Sequence, residues 1–295
     1  MSNKLLVTGA AGHLGRLVIH HLLETKKVPA ASIIATSRNP GKLSELADRG
    51  VEVRKADFDD EASLTHAFAG ADRLLIISTD ELSVPGKRLV QHEAAVRAAG
   101  KAGVRHILYT SMPSPEDAAV LFAPDHLGTE QAIKKSGIPY TIFRNGWYME
   151  NLFMALPHAL ADGKWYSAAG EGRIAHIARD DCALAIASAL ASGAIESVTY
   201  TLTGPTAYTT DEVAALVSEV SGKPLQVMHV TDEQLAAGKK AAGVPEGFVP
   251  ILVSFDTNTR VGKIDMVTAD AEKWAGRPLV GLKAFFEANR QALGA

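Results

Sequence analysis

Cysteine, excess charge of one sign and long apolar runs are all scarce in this sequence. Its 295 residues include one cysteine, Cys182, so no internal disulfide can form and a cytoplasmic location is expected. Cys182 lies in an apolar helical pattern, which favours a packed thiol over a nucleophile. A net charge of −3 leaves no basic excess for nucleic acid, and no apolar run reaches the length of a membrane span. Because the first predicted strand begins near residue 5, we expect no signal peptide.

Metal-binding residues are present but unsuitably spaced. His20 and His21 are adjacent, so a helix points them to different faces and they cannot chelate one ion together. The sequence has no His-x-x-x-His pair and no cysteine cluster. We therefore predict no metal site.

Three glycines spaced three residues apart form the most informative stretch. Leu5 to Val7 indicate a short buried strand, and apolar residues at helical spacing begin at Leu14. A strand, a glycine turn and a helix N-terminus together present free backbone N–H groups to a phosphate. A plain turn with incidental glycines is the alternative, and the flanking strand and helix disfavour it. The turn is predicted to bind a dinucleotide through Gly9, Ala11, Gly12, His13, Leu14 and Gly15.

Strands and helices alternate regularly through the first half of the chain. Predicted strands are Leu5–Val7, Ser32–Thr36, Val51–Ala56, Arg73–Ser78, His106–Thr110 and Pro139–Phe143. After the glycine-turn helix, predicted helices are Pro40–Arg49, Glu61–Ala69, Gly86–Ala102 and His126–Lys135. Apolar strands alternating with amphipathic helices predict an α/β fold with a doubly wound parallel Rossmann sheet. Such sheets bind ligands at the carboxyl ends of their strands.

The alternation is lost after residue 150. Short strands are predicted at Trp165–Tyr166, Ile174–Ile177, Val198–Leu202 and Leu225–Val230. Helices are predicted at Arg179–Ser192, at Thr210–Ser221 after a capping-type Thr-Thr-Asp-Glu sequence, and from Thr231. We expect a Rossmann domain over residues 1–155 and a smaller α+β domain over 156–295, partly interleaved with the first. A cleft between two domains is a usual place for a substrate.

The end of the second strand indicates which dinucleotide binds. An NAD site commonly has Asp or Glu about twenty residues past the glycine turn, where it bonds the ribose hydroxyls. Here that place has no acid, and Arg38 offers a planar cation that suits a 2′-phosphate. Lys42 adds further charge. The pattern therefore favours NADP(H) over NAD(H), the alternative for Arg38 being a solvated loop arginine.

Two further strand ends supply candidate coenzyme contacts. Asp57 follows the third strand, where it either bonds an adenine amino group, with Phe58 against the ring, or caps the next helix. These two readings carry equal weight. Ser78 and Thr79 end the fourth predicted strand, and that position favours a contact with the coenzyme ribose over a plain turn.

Four stretches give the chain a resemblance to a known family: Val7–Gly15, Ser37–Pro40, His126–Glu130 and Gly137–Asn151. They are similar to NmrA-like proteins, an atypical branch of the short-chain dehydrogenase/reductase superfamily. Within it, the resemblance is to the NADPH:quinone oxidoreductase and triphenylmethane reductase types. It implies a Rossmann fold, NADP(H) as the cofactor and a small aromatic or quinone substrate.

The catalytic Tyr-x-x-x-Lys pair of that superfamily is missing, because no tyrosine of this chain has lysine four residues later. His126 and Glu130 occupy the equivalent positions of the expected helix. They are either a remnant of the relay or an i,i+4 surface pair, and the surface pair is favoured. A sugar epimerase or an alcohol dehydrogenase is therefore disfavoured.

Candidate substrate contacts follow the sixth predicted strand. Asn145 is expected to bond the nicotinamide carboxamide or a quinone oxygen, and Trp147 and Tyr148 to wall a flat aromatic substrate. Core packing is the alternative for both aromatics. His176 is a candidate proton donor, because free imidazole has a pKa of about 6.5, although an isolated histidine in a strand is more often structural.

Two functions of different class fit these features. In the first, the protein transfers hydride from NADPH to a quinone or similar conjugated acceptor, which needs little acid help because its reduced anion is delocalised. A triphenylmethane dye or another xenobiotic is a related acceptor. In the second, the protein senses NADP(H) without turnover, as some NmrA-like regulators do. The fold class also leads us to expect a homodimer.

Overall fold

The computed structural model describes residues 4–294. Its strands are β1 Leu5–Val7, β2 Ile33–Ser37, β3 Glu52–Lys55, β4 Arg73–Ile76, β5 His106–Ser111, β6 Tyr140–Asn145, β7 Lys164–Ser167, β8 Arg173–Ile174, β9 Val198–Leu202, β10 Tyr208–Thr209 and β11 Gln226–His229. Its α-helices are α1 His13–His20, α2 Ser44–Asp48, α3 Glu61–Phe68, α4 Lys87–Lys101, α5 Ala123–Lys135, α6 Leu156–Asp162, α7 Arg179–Ser192, α8 Thr210–Ser221, α9 Asp232–Ala241, α10 Val249–Arg260, α11 Asp270–Ala275 and α12 Leu282–Ala288.

Seven parallel strands form the main sheet in the order β3-β2-β1-β4-β5-β6-β9. The helices α1, α7 and α11 cover one face, and α3, α4 and α5 cover the other, so apolar strand residues are buried on both sides. The chain reverses its direction of winding between β1 and β4, which is where such sheets bind ligands. This topology confirms the predicted doubly wound Rossmann fold.

The strand Val198–Leu202 lies in the main sheet, next to β6, although the sequence places it among the elements of the smaller domain. The preceding helix α7 is anchored to the same sheet by the buried Arg73 of β4. The Arg73 guanidinium donates to the carbonyl oxygens of Leu190 at 3.0 Å and Ala189 at 3.1 Å. These carbonyls lie at the negative end of the helix dipole, where a cation is stabilising. We therefore propose that the two predicted domains are interleaved, with residues 179–202 returning to the first.

The remaining elements form a cap over the carboxyl ends of the main sheet. Its apolar cluster joins α6, α8 and α12, and two small sheets pair β7 with β11 and β8 with β10. Helix α8 starts at the predicted place, where Thr209 and Glu212 form a reciprocal capping box. The strand predicted at 174–177 is shorter, and Ile177 instead forms an isolated bridge with Tyr148.

Several element ends differ from the sequence prediction, and three of these differences lie near the carboxyl ends of the strands. Strand β4 stops at Ile76, because the next backbone N–H groups donate to side chains: Ile77 to Thr8 Oγ1 and Ser78 to Thr110 Oγ1, both at 2.9 Å. Strand β6 continues to Asn145, so that residue ends the strand rather than following it. Helix α5 begins at Ala123, with a proline in its first turn, rather than at His126.

Two sequence expectations about single side chains are confirmed. Cys182 is fully buried as a free thiol among apolar residues of α7, and burial raises its pKa. The adjacent histidines point to different sides of their helix. His21 is buried with its Nε2 at 2.8 Å from Asp180 Oδ1, whereas His20 is exposed.

Candidate active site

The glycine turn joins β1 to α1 at the carboxyl edge of the sheet. Gly9 has a positive φ of 60°, which favours glycine, and its carbonyl accepts the N–H of Gly12 at 2.9 Å. A Cβ on Gly15 would lie 2.3 Å from the Gly9 carbonyl oxygen, so only glycine lets the helix approach this closely. Gly12 starts the helix without a side-chain cap, and no acidic residue occupies the first turn. These features leave the helix N-terminus suited to an anion.

Other residues predicted in this turn differ in exposure. His13 is exposed and Ala11 is half-buried, whereas Leu14 is buried and lines a cavity of the protein. The side chain of Arg16 donates to the Ala11 carbonyl at 3.0 Å and so closes the outer side of the turn. The turn therefore leads directly into the cavity described below.

Arg38 follows β2 and is exposed at the same edge of the sheet. Within residues 4–294 it forms no ion pair, and Lys42 nearby is also exposed. The loop is shaped by Asn39, whose Oδ1 accepts the N–H of Gly41 at 3.1 Å. The pKa of Asp59 is lowered mainly because Gln91 donates a hydrogen bond to its carboxylate, and the charge of Arg38 adds to this effect. Arg38 thus offers a free guanidinium beside the glycine turn.

Asp57 does not cap the helix that follows it. Helix α3 is capped by Asp60, whose Oδ1 accepts from the N–H groups of Ala62 at 3.0 Å and Ser63 at 3.1 Å. Asp57 Oδ1 instead accepts the N–H of Asp59 at 3.1 Å. The helix-cap alternative for Asp57 is therefore wrong, and the adenine contact stays a prediction. Phe58 packs, half-buried, against the apolar cluster beneath α3.

Ser78 and Thr79 lie beyond the end of β4 and belong to different surroundings. Ser78 lines the cavity and its Oγ accepts from Thr110 Oγ1 at 3.3 Å. Thr79 faces α4, where its backbone N–H donates to His92 Nε2 at 3.0 Å and its hydroxyl donates to Gln91 Oε1 at 2.8 Å. Thr79 is not among the residues that line the cavity.

The stretch from Asn145 to Tyr148 lies at the carboxyl end of β6, between the end of β9 and the segment around Ile177. Gly146 N–H donates to Leu202 O at 2.8 Å, and a Cβ on Gly146 would lie 3.1 Å from that oxygen. The amide of Asn145 donates to the hydroxyl of Tyr148 at 3.0 Å. The guanidinium of Arg179 lies 4.8 Å above the Tyr148 ring and fixes it from the other side.

A cavity of about 610 Å³ lies between the sheet edge and the cap. Its lining brings together six of the predicted site residues, namely Leu14, Ser78, Asn145, Trp147, Tyr148 and His176. Apolar side chains form most of the walls, and Trp147 meets Phe255 edge-to-face with ring centroids 5.2 Å apart. A largely apolar cavity with a few convergent polar groups is typical of a small-molecule site.

Three of the predicted residues in that lining each have a polar atom that is buried without a hydrogen-bond partner. They are Asn145 Oδ1, Trp147 Nε1 and His176 Nδ1. A buried polar atom without a partner is unfavourable, so these atoms indicate a ligand that supplies the missing bonds. Oδ1 of Asn145, which accepts hydrogen bonds, fits an amide N–H such as that of a nicotinamide carboxamide.

His176 does not have the ordinary pKa on which a role as a charged acid depends. Burial lowers its pKa to about 4, and a hydrogen bond to the Ile174 backbone only partly opposes this effect. The imidazole is therefore neutral near pH 7 and can act only as a neutral hydrogen-bonding group. Burial likewise raises the pKa of the Tyr148 hydroxyl far above its ordinary value.

The surface pair expected at His126 and Glu130 is wrong, because both side chains are buried. Glu130 accepts from Ser111 Oγ at 2.7 Å and from Arg144 Nε at 2.9 Å. His126 Nδ1 lies 2.8 Å from the hydroxyl of the fully buried Tyr109, and His126 also lines the cavity. Helical spacing places two residues on one face but does not tell which face is buried.

Sequence reasoning also missed Arg88, in the first turn of α4. Its guanidinium lines the cavity and lies 5.1 Å above the ring of Phe122. The available signal was its place at the start of the helix that follows the Ser78–Thr79 strand end.

Within residues 4–294 no group of three or more His, Cys, Asp or Glu side chains is placed to hold a metal ion. No helix in that part of the chain is long and apolar enough to cross a membrane.

The chain is similar to known proteins over nearly its whole length. Quinone oxidoreductase 2 of Escherichia coli (strain K12) is 38% identical over 276 residues, which are 94% of this chain and 95% of that protein. The crystal structure of the NADPH-dependent quinone oxidoreductase of E. coli with NADPH matches with a TM-score of 0.91, covering 96% of this chain and 98% of that one. Citrobacter triphenylmethane reductase complexed with NADP(H) matches at 39% identity and a TM-score of 0.90, covering 97% and 100%.

A more distant likeness shows the fold alone. The negative transcriptional regulator NmrA matches with a TM-score of 0.76 at 18% identity, covering 99% of both chains. The NmrA-like family itself matches residues 1–274. The resemblance drawn from the sequence is thereby confirmed, and the chain belongs to the NmrA-like family.

Proposed function

We propose that this protein is an NADPH-dependent reductase that transfers hydride to a quinone or a similar conjugated aromatic acceptor. The observation that carries the proposal is the cavity at the carboxyl edge of the sheet. Its lining joins Leu14 of the glycine turn to the unpartnered Asn145 Oδ1 and to aromatic walls. Similarity to reductases of quinones and of triphenylmethane dyes, over nearly the whole chain, supports the same class of reaction.

The residues present fit an NADP(H) coenzyme. The turn from Gly9 to Gly15 suits the pyrophosphate, because a Cβ at Gly15 would collide with the turn. Arg38 and Lys42 suit the 2′-phosphate, because both are exposed cations beyond β2. Asn145 Oδ1 suits the carboxamide N–H.

Three further contacts belong to the same proposal. Asp57 and Phe58 stand beyond β3, where the adenine of a coenzyme running along the sheet edge is expected. Ser78 lines the cavity beside the turn and is proposed to contact the ribose, with Thr79 behind it. The opposite walls, Trp147 and Tyr148, are proposed to hold the flat acceptor, and the neutral His176 to bond one of its polar atoms.

The proposed reaction needs little help from an acid catalyst. The bound coenzyme supplies the hydride, and the chain's own residues bind and orient the acceptor. A quinone fits this site better than a simple ketone does, because its reduced anion is delocalised and water can protonate it. This matches the absence of the Tyr-x-x-x-Lys pair from the sequence.

The test is to mix the purified protein with NADPH and a panel of small quinones and triphenylmethane dyes, and to follow the nicotinamide absorbance. We expect steady NADPH consumption with at least one acceptor, and slower consumption with NADH. Tight NADPH binding without turnover of any acceptor would favour the sensing function instead. The expected homodimer is checked separately by light scattering during size-exclusion chromatography.

A further inference from the structure

Arg88 is a buried cation that lacks a counter-ion. Its side chain is 6% exposed, its Nε is buried without a hydrogen-bond partner, and it forms no ion pair within residues 4–294. Asp125 and Asp80 act on the guanidinium only through the longer-range field. Burying an unpaired charge is costly, so a buried cation without a counter-ion indicates that an anionic group of a ligand binds beside it. Because Arg88 lines the cavity, that anion belongs there.

A chain of hydrogen bonds fixes where the neighbouring histidines carry their protons. The backbone N–H of Thr79 donates to His92 Nε2 at 3.0 Å, so the proton of the neutral His92 ring is on Nδ1. That Nδ1–H faces Thr129 Oγ1 at 2.9 Å and the Tyr109 hydroxyl at 3.4 Å. Burial lowers the pKa of His92 to about 3, with the Arg88 charge adding to the effect, so the ring stays neutral.

The same logic continues to His126. The hydroxyl of Tyr109 lies 2.8 Å from His126 Nδ1 and cannot donate to the protonated Nδ1 of His92. Of the two hydrogen-bond partners of the Tyr109 hydroxyl, only His126 Nδ1 is left to accept its proton, so we assign Tyr109 as the donor. The neutral His126 ring then carries its proton on Nε2, on the side away from Tyr109. Burial first, and then the charge of Arg88, hold the pKa of His126 well below its ordinary value.

Arg88 and His126 flank the same aromatic ring at the cavity wall. The guanidinium carbon of Arg88 is 5.1 Å from the centroid of the Phe122 ring, and the His126 ring centroid is 5.8 Å from it. Both side chains line the cavity, and both can only donate hydrogen bonds toward it. Two fixed donors, one of them charged, form a typical site for developing negative charge.

We propose that Arg88 and the Nε2–H of His126 form an oxyanion site, which binds the acceptor oxygen that becomes negatively charged during reduction. This inference rests on the proposed function. A quinone that accepts a hydride gains two electrons and one hydrogen, and is left as a hydroquinone monoanion. The two donors stabilise that anion by hydrogen bonds, and a water molecule supplies the final proton. The hydrogen-bond chain ends at the backbone N–H of Thr79, which cannot release a proton, so the chain orients His126 and does not conduct protons.

The site also selects a class of acceptor. A carbonyl acceptor such as a quinone develops charge on oxygen, and the oxyanion site assists it. A cationic triphenylmethane dye becomes neutral when it accepts hydride, so it develops no oxyanion and the Arg88 charge opposes its binding. The ratio of kcat/KM for a quinone to kcat/KM for a cationic dye therefore reports on this site, whereas coenzyme binding and hydride donation are common to both reactions.

The experiment measures that ratio with 1,4-naphthoquinone and malachite green for wild type, Arg88→Met, His126→Leu and His126→Gln. Loss of one oxyanion donor commonly costs about 100-fold or more in kcat. We expect the ratio to fall by that order in Arg88→Met and His126→Leu, and to recover partly in His126→Gln, whose amide N–H replaces Nε2–H. Arg97→Met, on the exposed side of the same helix, is the matched control and is expected to keep the wild-type ratio.

Tyr109→Phe tests the orienting role separately, since it removes the donor to His126 Nδ1 and leaves both cavity-lining side chains in place. We expect its ratio to fall while calorimetry shows wild-type NADPH affinity. If every variant keeps the wild-type ratio, the oxyanion site is wrong although the proposed function stands. If Arg88→Met loses NADPH affinity at an unchanged ratio, Arg88 binds the coenzyme and the inference is also wrong. A wild-type protein that reduces neither acceptor contradicts the proposed function and the inference together.

Discussion

The buried ion pair between Glu130 and Arg144 gives the sharpest prediction about stability. The Glu130 side chain is 0% exposed, and it accepts from Arg144 Nε at 2.9 Å, from Arg144 Nη2 at 2.8 Å and from Ser111 Oγ at 2.7 Å. Lys134 lies 3.4 Å away but is 42% exposed. The Glu130 carboxylate therefore has Arg144 as its main counter-ion. Arg144, in contrast, is 16% exposed and also pairs with the surface residue Glu116.

Removing Arg144 is therefore expected to lower the free energy of unfolding more than removing the charge of Glu130 does. Arg144→Met leaves the Glu130 carboxylate buried with Ser111 and one exposed lysine, and breaking a buried pair in this way costs about 3–5 kcal/mol. Glu130→Gln leaves Arg144 paired with Glu116, and its cost is expected near about 1.5–3 kcal/mol, the worth of a hydrogen bond to a charged group. The double variant is expected to cost less than the sum, with a coupling of about 1–3 kcal/mol.

Urea denaturation of the four proteins of this double-mutant cycle measures these free energies of unfolding. Glu61→Gln is a matched control, because Glu61 pairs with Arg97 and Lys101 at the surface. Exposed pairs contribute little, so we expect its cost to stay below about 1 kcal/mol. The reasoning is refuted if Arg144→Met costs no more than this control, or if the two substitutions are additive.

Three further predictions concern the coenzyme site and pH. Gly15→Ala places a Cβ 2.3 Å from the Gly9 carbonyl oxygen, so overpacking is expected to cost about 1–3 kcal/mol of folding stability and to displace the turn. NADPH binding measured by calorimetry is expected to weaken, and unchanged affinity contradicts this. Arg38→Ala is expected to remove about 1.5–3 kcal/mol from NADPH binding and little from NADH binding, and equal losses exclude the phosphate contact. The pKa values of His92, about 3, and His176, about 4, lie below the ordinary 6.5, so the unfolded chain binds more protons in that window. Stability is therefore expected to fall as pH drops below about 6.5, by up to about 1.4 kcal/mol per pH unit for each histidine. A urea midpoint that does not fall between pH 7.5 and pH 5 contradicts this.

Most strands of the main sheet can be predicted from the sequence, because the patterns that indicate them are local. Six apolar strands and the glycine turn repeat within short windows, and each is visible without knowledge of its partners. The place of Val198–Leu202 was not accessible, because its pairing with β6 joins residues far apart in the chain. As an edge strand with only Leu202 fully buried, it alternates like a half-exposed strand and resembles the elements of the cap.

For the candidate site too, some residues can be predicted from the sequence and others cannot. Asn145, Trp147 and Tyr148 were predicted from a strand end, and the structure places all three at the cavity. The burial of His126 and Glu130 could not be read from their spacing, because it depends on partners that belong to β5 and β6. The usable signal was Tyr109 and Ser111, two polar residues two positions apart in a buried strand, which therefore face the same helix.

Isothermal titration calorimetry of the purified protein with NADPH and with NADH tests the central claim most directly. The claim is that the glycine turn and Arg38 bind a 2′-phosphorylated nicotinamide coenzyme beside the cavity. We predict one NADPH per chain, bound at least about tenfold more tightly than NADH, since the 2′-phosphate adds a charge-assisted contact. Absence of binding heat with either coenzyme, across a range of temperatures, would contradict the account.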